Sequence, residues 1–184
     1  AWPEWPQEDM DLIKQPLDFI GVNYYTRNVS KHDETNWPLK VAPVRQKQHT
    51  YTETGWEVFP QGLTDTLVWV KQRYGNPKVF ITENGAAFFD PPKAERGRVR
   101  DPLRLSYLRQ HLRAVHAAIE AGCDIGGYFV WSLLDNLEWS LGYSKRFGIV
   151  HVDFETQTRT PKDSARYYAS VVATHGVALA NEDD

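Results

Sequence analysis

Three short apolar runs divide the chain: residues 17–25 (LDFIGVNYY), 78–82 (KVFIT) and 125–132 (IGGYFVWS). Each has the length of a strand. The third is apolar at odd and even positions alike, which predicts burial on both faces of a parallel sheet. The first also reads as buried. Between the runs the period changes. Leu63, Leu67, Val70 and Tyr74 recur at helical spacing, and Gly75 with Asn76 and Pro77 predicts the stop. Leu105, Leu108, Leu112, Val115 and Ile119 make a longer stripe. Asp101 is its expected N-cap, Pro102 its first residue and Gly122 its end. A last helix is predicted to open at Thr160 and Pro161, to face inward with Tyr167, Tyr168, Val171 and Val172, and to close at Gly176. Residues 8–14 allow one or two helical turns within a polar lead-in, 1–16. Residues 26–60 read as a long excursion with short strands at 41–44 and 50–54. A hairpin is expected near 147–154, and the acidic end of the tail 177–184 is expected to fray.

The order is strand, loop, helix, three times over, which predicts βα units around a parallel sheet. The long loops follow the strands' C-terminal ends, where a (β/α)8 barrel builds its active site. Such a barrel needs eight strands, and 184 residues fall short of the roughly 200 at its lower limit. The expected architecture at this point is α/β, one domain over 1–184, which the resemblance described below makes a partial one. An open doubly wound sheet is the competing reading, but the Gly-rich phosphate loop after a strand is missing.

Composition narrows the partners. A net charge of -3 and a pI near 6.1 leave no basic footprint, so no nucleic acid is expected. The apolar runs are too short for a membrane span, so no membrane is expected either. The lone Cys123 excludes an internal disulfide and a thiolate cluster. No secretory signal opens the chain, and a cytoplasmic location is the expectation. The opening, AWPEWPQEDM, lacks an initial Met and reads like the middle of a longer polypeptide.

The candidate chemistry gathers at the strand ends. The first run ends on Asn23-Tyr24-Tyr25 and the second on Glu83-Asn84-Gly85. The third ends on Trp131-Ser132, followed by Asp135, Asn136, Glu138 and Trp139. In parallel neighbours these groups converge on one rim. Seven tryptophans and nine tyrosines supply flat apolar faces with hydrogen-bonding edges. Carboxylates, amides and indoles together suit a sugar ring, and a carboxylate there can attack an anomeric carbon. Taken alone, Glu83 reads as a solvated loop carboxylate; its company makes it a candidate nucleophile. Trp131 alone could be plain core, but its place in WSLLDNLEW favours lining the site. Trp2, Trp5, Trp37 and Trp69 read as packing or surface. His111 and His116 read as structural or solvated, and the histidines show no metal-ligand spacing. Lys145-Arg146 reads as a salt-bridged rim, and Asp135 as orienting its loop.

Six segments carry a resemblance in order and spacing, from about residue 3 to 176: LDFIGVNYYT, GWEVFPQGL, VFITENGAAF, RLSYLRQHL, GYFVWSLLDNLEWSLGYSKRFGIVHVDF and RTPKDSARYY. They resemble the later half of the glycoside hydrolase family 1 β-glucosidases. The resemblance implies the C-terminal portion of a (β/α)8 barrel, about strands 6 to 8 with their helices. It implies that Glu83 is the nucleophile, that the Tyr25 hydroxyl bonds it, and that Asn23 lines the same subsite. It gives Trp131 the floor beneath the sugar, Glu138 and Trp139 its hydroxyls, Phe147 the subsite rim and Trp56 the aglycone. Relatives that cleave 6-phosphosugars carry Ser at Glu138 and Tyr at Phe147, so a neutral sugar is implied, with no cofactor. The family's acid/base glutamate, in Asn-Glu-Pro, has no counterpart; the one Asn-Glu pair is Asn181-Glu182 in the tail. The implied partner is an N-terminal barrel part, on a second chain or on preceding polypeptide. Three barrel strands expose two edges and an open core, which invite such pairing. A non-catalytic carbohydrate-binding protein using the same aromatic site is the alternative.

Overall fold

The computed structural model describes residues 4–180; the readings for Trp2 and Asn181-Glu182, and the expected fraying at 181–184, lie outside these. A short helix α1 (Gln7–Ile13) precedes β1 (Ile20–Asn23). The excursion carries β2 (Ser30–His32) and β3 (Val41–Pro43) as an antiparallel pair. Then come α2 (Gln61–Tyr74), β4 (Val79–Asn84), α3 (Pro102–Glu120) and β5 (Ile125–Val130). The chain closes with β6 (Val150–Val152), β7 (Arg159–Pro161) and α4 (Asp163–Ala173). The sheet β1-β4-β5 is parallel throughout, as the βα order predicts.

One face of this sheet carries the helices. Leu63, Leu67 and Val70 of α2 and Ala114, Val115 and Ala118 of α3 bury Val79 and Ile81, with Ile20, Val22, Ile125 and Tyr128 against them. A second cluster, Ala86, Phe88, Tyr107, Leu108 and Ile149, lies under the loops after β4 and β5. The opposite face departs from the sequence reading. Phe19 is 51% and Phe129 56% exposed, with the Phe80 ring between them, and Leu17 is exposed too. Only the helical layer covers the sheet among the described residues, so burial on both faces does not hold here.

The helices are placed as expected, but their buried faces are wider or rotated. Gly75 takes the left-handed conformation (φ 75°) that ends α2, yet Tyr74 is exposed. In α3, Arg104, Tyr107 and His111 are buried, while Ile119 is exposed on the last turn. Asp101 precedes α3 without a side-chain bond to the helix amides; its carboxylate goes to Arg104 and Ser164 instead. Thr160 and Pro161 belong to β7, which pairs with β6, so the hairpin is longer than expected and α4 starts at Asp163. Val172 is exposed and Tyr167 and Tyr168 are half-buried. The strand expected at 50–54 is a turn closed by one bridge, Tyr51 to Glu57.

Candidate active site at the strand ends

The ends of β1, β4 and β5 meet as parallel neighbours must, and one irregularity decides what they present. Strict alternation would put Val79, Ile81 and Glu83 on the helix-covered face. Instead the register slips by one residue on both sides of β4. Val22 pairs with Ile81 but Asn23 with Glu83, and Tyr128 pairs with Ile81 but Val130 with Asn84. A bulge of this kind re-aims side chains. Asn84 drops into the core at 0% exposed, and the half-buried Glu83 is free to turn to the rim. The expectation that Asn84 joins the rim is therefore corrected. Thr82 faces away from the helices and donates to Asn23 Oδ1 at 2.6 Å.

The Tyr25 hydroxyl donates to Glu83 Oε2 at 2.6 Å. Burial, then this bond to the carboxylate, pushes the Tyr25 hydroxyl well above its ordinary pKa, so it remains a donor; Glu138 adds to the same effect. The Tyr25 ring lies 5.2 Å from Trp56 and 6.5 Å from Phe147, and Trp56 lies 6.0 Å from Phe147. These three rings form one cluster, which meets the carboxylate through the Tyr25 hydroxyl. Phe147 is only 2% exposed, so it backs the cluster rather than standing at the rim as the resemblance implies.

Trp56 is fixed from several sides. Its backbone closes a turn on Thr52, and Glu53 N–H reaches Ala87 O at 2.9 Å. Lys145 ties the same turn to the loop after β5 through Glu53 at 3.0 Å. The neighbouring Glu57 is buried, accepting two bonds from Arg27 (3.1 and 2.9 Å) and pairing with His49. The Arg27 bonds hold the Glu57 carboxyl below the usual carboxylate range.

Trp131 follows β5, and its N–H bonds Asn84 O at 2.9 Å. Its carbonyl crowds Gly85: a Cβ there would sit 1.7 Å from Trp131 O, so only glycine permits this approach. Glu138 is half-buried, and Trp139 is 86% exposed at the start of a single 3₁₀ turn. The structure thus joins Tyr25, Glu83, Trp56 and Phe147 by contact, places Asn23 opposite Glu83, and brings Glu138 within electrostatic reach of Tyr25.

Beneath these loops lies a charged cluster that the sequence reading missed. Arg104 donates to Asp90 (2.7 and 3.2 Å) and Asp101 (2.8 Å). Lys162, fully buried, donates to Asp90 at 2.5 Å and Asp135 at 2.8 Å. Asp135 also accepts from Arg146 at 2.6 Å and from the amides of Gly148 and Val152. Burial would lower the Arg104 pKa, but Asp90 and Asp101 outweigh it and hold it above its ordinary value. For Lys162 burial wins, helped by Arg104, and its pKa is pulled down against the two carboxylates. Asp135 orients its loop, as expected, and Lys145 and Arg146 are both salt-bridged. Lys162 stands in RTPKDSARYY, but a lone lysine after a proline has no period and lysines are almost never buried unpaired, so nothing in that segment marks it as buried.

Trp5, Trp37 and Trp69 are exposed, His116 is solvated, and His111 is buried, its pKa lowered by that burial to about 4. Among the described residues no three His, Cys, Asp or Glu side chains are placed to hold a metal ion, and no helix is long and apolar enough to cross a membrane.

A carboxylate, its tyrosine donor and aromatic faces lie together at the C-terminal ends of parallel strands, an arrangement with both hydrogen-bonding and stacking surfaces. The family model of glycosyl hydrolase family 1 matches residues 1–177. The chain is 48% identical over 171 residues to a 1,4-beta-D-glucan glucohydrolase of Thermotoga neapolitana, covering 93% of this chain and 38% of that protein. It is 43% identical to a bifunctional beta-D-glucosidase/beta-D-fucosidase of Bifidobacterium breve, covering 91% and 39%. Among solved structures, beta-glucosidase from Thermotoga maritima in complex with castanospermine superposes with a TM-score of 0.87 at 47% identity, over 95% of this chain and 39% of that one. The chain belongs to glycosyl hydrolase family 1, and its three βα units are the C-terminal part of that family's (β/α)8 barrel. It spans about two fifths of the length of the relatives it matches.

Proposed function

We propose that these residues form the nucleophile-bearing part of a retaining β-glycosidase that hydrolyses β-glucosides, with β-galactosides or β-fucosides as further substrates. The observation that carries this reading is the 2.6 Å bond from Tyr25 to Glu83 at the shared strand ends. Glu83, ionised, attacks the anomeric carbon; the C–O bond to the aglycone breaks and a glycosyl-enzyme forms. A second carboxylic acid protonates the departing oxygen, then takes a proton from the water that releases the sugar. Such carboxyls stand about 5–5.5 Å apart in retaining enzymes. That acid comes from a barrel portion outside residues 1–184, on preceding polypeptide or a second chain; the share of each relative that the match covers supports this. Asn23, Trp131, Glu138 and Trp139 hold the sugar, and Trp56 meets the aglycone, with Phe147 behind it. Glu138 adds a negative charge that disfavours a phosphorylated sugar. The names of the relatives, glucosidases and a glucosidase/fucosidase, support this substrate class.

Stereochemistry tests the mechanism. Proton NMR of a β-glucoside digest, run with the acid-bearing barrel portion present, should show β-glucose first and the α-anomer only after mutarotation. Early α-glucose contradicts the double displacement.

A further inference from the structure

We propose that Asn84, held by Tyr128 and Tyr107, is a positioning residue that sets the Tyr25 hydroxyl against Glu83. This rests on the reading of Glu83 as nucleophile. The bulge breaks the regular register of both β4 ladders beside Glu83, where Tyr24 N–H to Glu83 O (2.9 Å) is the backbone bond that ties the end of β1 to β4. The Asn84 side chain adds a second tie. Its Nδ2 donates to Tyr24 O at 2.7 Å and to the Tyr107 hydroxyl at 3.1 Å. Its Oδ1 accepts from the Tyr128 hydroxyl at 2.5 Å. Tyr107 in turn donates to Tyr25 O at 3.3 Å. The carbonyls of Tyr24 and Tyr25 belong to the two peptide units that flank the Tyr25 Cα. Both units are thus anchored to one buried amide, and the direction of the Tyr25 side chain is fixed with them.

The amide has one workable orientation. Tyr24 O can only accept, so Nδ2 must face it, and Oδ1 is left for Tyr128. The surroundings hold the partners in turn: Tyr107 stacks on His111 at 3.9 Å, and α4 reaches the Tyr128 carbonyl through the Tyr168 hydroxyl at 2.9 Å. Satisfied buried polar networks of this kind specify one arrangement where an apolar core would tolerate several.

The test uses the assembled protein, acid-bearing portion included, and a 2-fluoro-β-glucosyl fluoride, whose inactivation rate reads attack by the nucleophile. Tyr128→Phe leaves Asn84 Oδ1 without its donor. The limiting inactivation rate should fall roughly 10- to 100-fold, as a small misplacement near the reacting atoms does. The half-saturating concentration should stay within about twofold, because ground-state sugar contacts are untouched. In a Tyr25→Phe background the same change should add almost nothing, since the two act through one bond. Tyr107→Phe should show the same pattern and serves if Tyr128→Phe does not fold. Thr64→Val, which loses a part-buried bond to Ala114 O outside this network, should leave both constants as they are. An unchanged limiting rate, or an equal loss with and without Tyr25, overturns the proposal. Absence of inactivation in the unsubstituted protein overturns the nucleophile reading instead.

Discussion

Glu83→Gln should abolish turnover of a nitrophenyl β-glucoside while leaving sugar binding in place. The change keeps size, shape and an oxygen that accepts the Tyr25 hydroxyl at the 2.6 Å contact. It removes the charge and the nucleophilic oxygen. Loss of a nucleophile costs on the order of 10⁴ to 10⁶ in kcat in enzymes whose groups act as a unit. The fold should not suffer, because Glu83 is half-buried at a strand end and packs in neither hydrophobic cluster. The same substitution separates the catalytic reading from the binding-only alternative. A carbohydrate-binding protein needs no nucleophile, so its whole function would survive. The check is kcat beside calorimetric binding of glucose in the assembled protein; kcat within tenfold of the parent would defeat the assignment.

Lys162→Met should produce the largest loss of stability. Its ammonium bridges Asp90 on the loop after β4 and Asp135 on the loop after β5, in full burial. Removing it leaves both carboxylates short of a cation, although Arg104 and Arg146 stay. Breaking a buried pair from one side costs about 3–5 kcal/mol, more than the pair itself contributes relative to an apolar replacement. For a chain of this size that is a fall in melting temperature of about 6–20 °C. Adding Asp135→Asn should recover part of the loss, because one uncompensated charge disappears. Calorimetric melting of the single and double variants measures both. A single variant that melts within 2 °C of the parent would mean that the bridge is not holding the loops together.

The place of Glu83 at the shared strand ends was legible because three apolar runs each end in polar or aromatic groups, and parallel neighbours bring such ends together. The helices were legible because burial on one face imposes a period. What escaped has no period. The bulge that turns Glu83 outward and Asn84 inward looks in sequence like two more polar residues at a strand end. Phe147 lies behind Tyr25 and Trp56, a placement set by a loop that only the fold brings there. Lys162 and Arg104 are buried because carboxylates 3 to 72 residues away meet them. The exposed Phe19 and Phe129 were read as buried from apolar runs occupied on both parities, a pattern that cannot say what covers the second face of a sheet. The whole-chain resemblance succeeded where single residues could not, since six segments in order constrain a topology.

In the proposed reaction everything depends on Glu83 forming the covalent bond to the sugar. The assembled protein, treated with a 2-fluoro-β-glucosyl fluoride and digested, should yield one labelled peptide in the mass spectrum. The added mass is expected on Glu83, within VFITENGAAF. Label on another carboxylate such as Glu138 or Asp135, or no label in a protein that turns over β-glucosides, would contradict it.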